Sequence, residues 1–180
     1  MCRRAITLAM LLLAAPGCAA DDDDDTGQGG GPRTLEIGQG DDEGQGCTLL
    51  QDGDDAHLHY GSQGGFHIYF AAQVKGFDER RLIFDIRAYR DDLGADEPPA
   101  NQMQRVLDLE PLGADGTLVT TQADRLILCP SPSGIGSDGK PYRLWVTVRD
   151  SFGHNAHDEV NVTTVCPSDD PRCPPTCAGD

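Results

Sequence analysis

Positive charge is scarce in this sequence. Across 180 residues, 14 Lys and Arg face 30 Asp and Glu, for a formal charge of −16. A chain this acidic repels nucleic acid and anionic lipid headgroups, so no nucleic-acid partner is expected. Helical periodicity is missing as well: no window repeats apolar residues at helical spacing between capping residues. There is no internal repeat. The spacings that carry common chemistry are also absent, with no His-Glu-x-x-His, no Gly-x-Ser-x-Gly and no phosphate-binding Gly-rich loop. Gly134 to Gly139 matches a dinucleotide fingerprint in letters only, because it leads into a strand pattern and no helix N-terminus follows to receive a pyrophosphate. The chain is therefore not expected to be an enzyme. Its N-terminal apolar run, Ala5 to Ala15, is too short to cross a bilayer as a helix.

What is present begins with that run. Arg3 and Arg4 precede it and small residues end it, the order of a secretory signal peptide over residues 1–17. Asp21 to Asp25 follow, and no buried helix would continue into five aspartates. The exit Ala15-Pro16-Gly17-Cys18 resembles the lipobox of bacterial lipoproteins. Gly17 and Cys18 match it, while Ala15 stands where leucine is usual and Pro16 departs from the pattern. The resemblance implies a lipidated Cys18 and an exported chain held at a membrane, each buried CH₂ contributing about 0.8 kcal/mol. With Ala19 after the cysteine, it implies the outer membrane or cell envelope of a two-membrane bacterium. Cleavage near Ala20 is the alternative and leaves a soluble exported protein. Either cleavage removes Arg3 and Arg4 and no acid, so the mature chain is more acidic still.

Residues 18–46 are dominated by Gly, Asp and Gln. Too few apolar side chains are present to offset the entropy of folding, so a flexible tether is expected, spanning roughly 30 Å. Residues 47–166 are the size of one domain, and residues 167–180 form a Cys/Pro-rich tail.

Within 47–166 the apolar pattern has a period of two. Phe66, Ile68, Phe70, Ala72 and Val74 share one face, and Leu82, Phe84, Ile86 and Ala88 share another. Tyr142, Leu144, Val146 and Val148 alternate with polar residues, Asp150 to Asn155 supplies a turn, and Val160 and Val162 resume the alternation. Shorter strand candidates are Cys47 to Leu50, His57 to Tyr60, Val106 to Leu109, Leu118 to Thr121 and Leu126 to Cys129. The 142–165 stretch resembles the last hairpin of immunoglobulin-like bacterial surface domains, the polycystic-kidney-disease and cadherin-like modules. The expectation is an all-β fold: one immunoglobulin-like antiparallel β-sandwich of about seven strands, with a disordered N-terminal tether. The core expected is Ile68, Phe70, Val74, Leu82, Phe84, Ile86, Leu144, Val146 and Val148. The resemblance also implies a tyrosine-corner-like bond from Tyr142. Trp145 falls on the opposite face from Leu144, as a partly covered outer residue or as a binding aromatic.

If Cys18 is lipidated, Cys47, Cys129, Cys166, Cys173 and Cys177 remain. Export favours disulfides, and an odd count suggests two bridges and one free thiol. The pairs expected are Cys47 with Cys129 or Cys166, and the tail cysteines with each other or with Cys166. A zinc site at Cys166, Cys173 and Cys177 would need a fourth ligand and reduced thiols. His57 and His59 are spaced to share one side of a strand, where copper or zinc could bind with a third ligand. His154 and His157 lie at the final turn with Asp150, Asp158 and Glu159, and those three carboxylates could hold calcium. The preferred role of Asp150 is to cap the turn backbone. Asn161-Val-Thr163 is a glycosylation sequon, but no glycan is expected behind a bacterial-type lipobox.

The sequence therefore supports a non-catalytic, lipid-anchored envelope domain, with no cofactor, that binds a protein or glycan or serves structurally. The alternative is an exported metal-binding module for calcium, copper or zinc. A hydrolase using an unfamiliar histidine or carboxylate site is the least favoured.

Overall fold

The computed structural model describes residues 31–62, 64–94, 97–130 and 136–178. The expected signal peptide, Cys18 and the first part of the expected tether, to residue 30, lie outside the described residues.

The fold is all-β, as expected from the period-two pattern. Eleven strands follow in order: β1 Thr34–Gln39, β2 Thr48–Leu49, β3 Asp54–His57, β4 His59–Tyr60, β5 Phe66–Lys75, β6 Arg81–Arg90, β7 Asn101–Pro111, β8 Leu118–Thr120, β9 Asp124–Cys129, β10 Lys140–Arg149 and β11 Asn155–Val165. A short helix, α1, spans Cys173–Cys177. One continuous path of strand pairs runs β2-β1-β5-β8-β7-β6-β10-β11-β3, with β4 and β9 also paired to β5. The path folds over on itself into two layers. β7 makes the crossing: Asn101 to Asp108 pair with β6, and Leu109 to Pro111 pair with β8. The layers then meet face to face, with the Phe70 and Phe84 ring centroids 6.0 Å apart although β5 and β6 do not pair.

Alternation decides which side chains enter the gap. Ile68, Phe70 and Val74 from β5, Leu82, Phe84 and Ile86 from β6, and Leu144, Val146 and Val148 from β10 are all buried together. β10 is central in its layer, paired over its length with β6 on one side and β11 on the other.

Two details differ from the sequence expectation. The strand count is higher, because β1 and β3 form where the sequence marked a tether and a turn. One pair is parallel: β3 lies beside β11, with Asp54 opposite Val162. Asp52 supports this join, accepting hydrogen bonds from Asn161 N at 2.8 Å and from the Asn161 side-chain amide at 3.1 Å.

The boundaries also move. Order begins well before residue 47, because Thr34 to Gln39, placed in the expected tether, forms β1 against β5. Only Leu35 and Ile37 in that strand are apolar, yet both are buried. A strand with two inward side chains is weak alone, and pairing along most of its length with a central partner makes it stable. The tail is no appendage either. Cys173 and Cys177 of α1 belong to the buried core and close one end of the sandwich. Ser137 N and Asp138 N donate to Cys177 O at 2.7 and 3.2 Å, which ties the tail to the segment before β10.

Candidate functional site

One bridge follows the sequence expectation, a tail cysteine with Cys166, and the other departs from it, because Cys129 does not pair with Cys47. Cys129 joins Cys177, with Cα atoms 5.2 Å apart, and Cys166 joins Cys173, with Cα atoms 5.6 Å apart. The count of two bridges and one free thiol agrees, but the odd thiol is Cys47, which bonds neither Cys129 nor Cys166. The reason is its face. Cys47 Sγ lies beside Gly38, so close that a Cβ at Gly38 would sit 2.6 Å from it, on the outer side of β1. Cys129 ends β9 in the core. Burial pushes the Cys47 thiol up to about 11, against a lowering hydrogen bond with Gln73, while Glu36 adds to the rise. It is protonated and a poor nucleophile at neutral pH. The sulfurs of Cys166, Cys173 and Cys177 lie within 4.8 Å of one another, and Cys129 supplies a fourth through its bond to Cys177. As paired, these four sulfurs leave no thiolate for zinc.

The final turn is built around one carboxylate. Asp150 accepts from Phe152 N at 3.0 Å and from His154 N at 2.9 Å, and its Oδ2 lies 2.7 Å from His154 Nδ1. Burial by itself would raise this carboxyl, but the bonds from His154 and Phe152 outweigh it and hold the group below its ordinary value. Gly153 takes φ +92°, which a Cβ would resist. The other members of the expected calcium set point elsewhere. Asp158 Oδ2 accepts from Ile37 N at 3.1 Å, bridging β11 to β1 in the opposite layer. Glu159 Oε2 lies 3.3 Å from Arg143 Nη1. Neighbours on a strand face opposite ways, so Asp158 and Glu159 cannot converge on one ion. His157 is exposed on β11, apart from the Asp150–His154 pair.

Trp145 is half-buried on the outer face of β10, with the Arg87 guanidinium 4.8 Å over its ring. Next to it Arg143 stands 4.8 Å over Tyr89 and pairs with Asp91 at 3.2 Å. A neighbouring side chain thus covers the indole. Tyr142 is fully buried, and its hydroxyl bonds to Ser137 Oγ at 2.9 Å; Ser137 Oγ also donates to Leu128 O at 2.8 Å. The corner-like bond therefore goes to a side chain rather than to backbone.

His57 and His59 flank the buried Leu58 where β3 gives way to β4, and both line one cleft with Tyr60, Asp42, Asp170 and Arg172. His59 Nδ1 lies 3.2 Å from Asp42 Oδ1. Burial lowers the His59 pKa, against the opposite pull of Asp42. Among the described residues no third ligand atom closes with the two imidazoles within 4.8 Å.

The residue that the sequence did not single out is His67. It sits on the outer face of β5, opposite His59 on β4 and Ile127 on β9. It is nevertheless only 2 % exposed, and its Nε2 has no hydrogen-bond partner among the described residues. Its ring meets Tyr69 edge-on at 4.6 Å. Burial, then Arg125 and His59, push the His67 pKa down to about 4, so it is neutral at ordinary pH. No sequence signal marks it, because alternation assigns position 67 to the solvent side.

Compared with known proteins, the chain matches no family model, no curated protein and no solved structure.

Proposed function

We propose that the chain is an exported, lipid-anchored envelope protein whose β-domain acts as a non-catalytic binding or structural module of immunoglobulin-like type. The observation that carries this reading is the pair of bridges at the end of the core. Cys129–Cys177 and Cys166–Cys173 place four of the five cysteines beyond Cys18 at bonding distance, three of them within the buried core. A fold closed this way suits an oxidising compartment, which agrees with the leader-like start of the chain. The β10–β11 hairpin, paired from Lys140 opposite Thr164 to Arg149 opposite Asn155, supports the immunoglobulin-like kinship.

Intact mass tests the reading. The chain is expressed in a two-membrane bacterium and recovered from membrane and soluble fractions. The expected product starts at Cys18, carries acyl chains, sits in the membrane fraction and gains the mass of four hydrogens on reduction of its two bridges. A soluble product beginning near Asp21 overturns the anchor, and a mass unchanged by reduction overturns the oxidising compartment.

A further inference from the structure

The outer face of β5 carries a half-enclosed pocket of ≈ 260 Å³. His67 and Arg125 line it, the backbone of Gly61, Gly64 and Gly65 forms one wall, and Ile127 and Pro130 form the other. The glycines keep it open. A Cβ on Gly61 would lie 3.3 Å from His67 Nδ1, and one on Gly65 would lie 2.8 Å from Cys129 O.

Two polar groups here lack what such groups usually have. His67 is a buried imidazole whose Nε2 is unpartnered. Arg125 has no carboxylate within ion-pair distance among the described residues, in a chain of charge −16, and its guanidinium stands 6.0 Å over Tyr69. Most other arginines of the domain hold an acid: Arg81 with Asp108, Arg87 with Asp85, Arg90 with Asp92, Arg105 with Asp124 and Arg172 with Asp170. A buried polar atom without a partner destabilises the fold, and a ligand that satisfies it recovers part of that loss.

We propose that this pocket binds a small carboxylate with an apolar body, held through its oxygens by the Arg125 fork and by a ring N–H of His67, with its body against Ile127 and Pro130. A guanidinium matches two carboxylate oxygens in one plane. Charge selects a carboxylate over phosphate. Among the described residues the pocket offers a single cation, no lysine and no helix N-terminus, while Asp42 and Asp124 lie nearby on the flanking segments. A dianion would meet more repulsion than one Arg offsets. The proposal rests on the binding reading above and gives it a ligand class.

The groups facing His67 set the readout. They are Arg125 from β9, His59 from β4, Tyr69 on its own strand, and Asp42 beyond His59. A bound carboxylate adds a negative charge and must raise the His67 midpoint. The full chain is titrated by NMR of its histidine rings across pH, with and without benzoate at about 10 mM, enough for a millimolar site. The expected result is a saturable rise of about one unit or more in the His67 midpoint with benzoate. Arg125→Gln should abolish the benzoate-induced rise; because Arg125 is exposed, this variant should fold, and unchanged amide signals away from the pocket verify that. Ile127→Asp should abolish the rise as well, by placing a like charge at the apolar wall. No rise with benzoate, or an equal rise in Arg125→Gln, overturns the proposal. A rise with inorganic phosphate as large as that with benzoate overturns the choice of carboxylate. The titration involves no membrane, so its failure leaves the anchor to be judged by intact mass.

Discussion

The two disulfides should contribute unequally, and the structure says by how much. Cys129–Cys177 spans 48 residues and ties the end of β9 to α1, whereas Cys166–Cys173 spans only 7 and closes a loop next to β11. In the chain-entropy view a cross-link stabilises by removing loop freedom from the unfolded chain, and the effect grows with the logarithm of loop length. For these spans it comes to about 4 kcal/mol for the first bridge and about 2 kcal/mol for the second. Cys173 and Cys177 are equally buried, while Cys129 is buried and Cys166 only half-buried, so lost packing adds to the cost of the first pair in the same direction as loop length. Cys129→Ala with Cys177→Ala is set against Cys166→Ala with Cys173→Ala, each unfolded in urea alongside the native chain. The first pair should lose about 2 kcal/mol more than the second, a difference of several degrees in Tm for a domain of this size. Equal losses, or a larger loss from the short bridge, would refute the argument. They would mean that the short bridge stabilises by holding α1 in its seat rather than by restricting the unfolded chain.

Three further outcomes follow from the polar groups. Asp150→Ala should cost about 2 kcal/mol in urea unfolding, since two backbone N–H groups and one imidazole lose their acceptor, and Asp150→Asn should cost less. Because Asp150 caps its own turn, millimolar calcium should leave the Tm of the native chain unchanged; a calcium-dependent rise would reinstate the ion site. His67 gives a pH dependence. Its folded pKa of about 4 lies below the ordinary value of 6.5, so folding favours the neutral ring and the unfolded chain binds the extra proton. Stability should therefore be complete above about pH 6.5 and decline as the pH falls to about 4, by up to about 3 kcal/mol from this residue. His59 declines in the same direction, so the measured quantity is the difference between the native chain and His67→Gln; parallel curves from pH 7 to 4 would refute it.

How far the sequence could be read depended on the length of each alternating run. β5, β6 and β10 each run ten residues with one apolar face, and their observed bounds contain the runs that alternation marks. β7 is just as long but shows only Met103 and Leu109 as buried residues, since it passes between the layers, and the sequence marks only Val106 to Leu109 of it as a short strand. β1 hides for a related reason: its two inward residues sit in a Gly, Asp and Gln background that reads as a tether. The expected metal sets failed to converge because spacing along the chain does not specify direction across a strand, as Asp158 and Glu159 illustrate.

The all-β class, the acidic surface, the long strands, the turn at Asp150 to Asn155 and the parity of the cysteines were all local properties, and local properties survive in a string of residues. Other features belong to pairs of residues distant in that string. Cys129 meets Cys177 and leaves Cys47 alone; β3 lies parallel to β11; Asp158 on β11 accepts from Ile37 N on β1; and His67, outward by alternation, is buried beneath His59, Tyr69 and the glycine-lined turn. Each depends on how the two layers close over one another. Closure is set by the whole core at once, through the packing of side chains from both layers, and no window of sequence contains it.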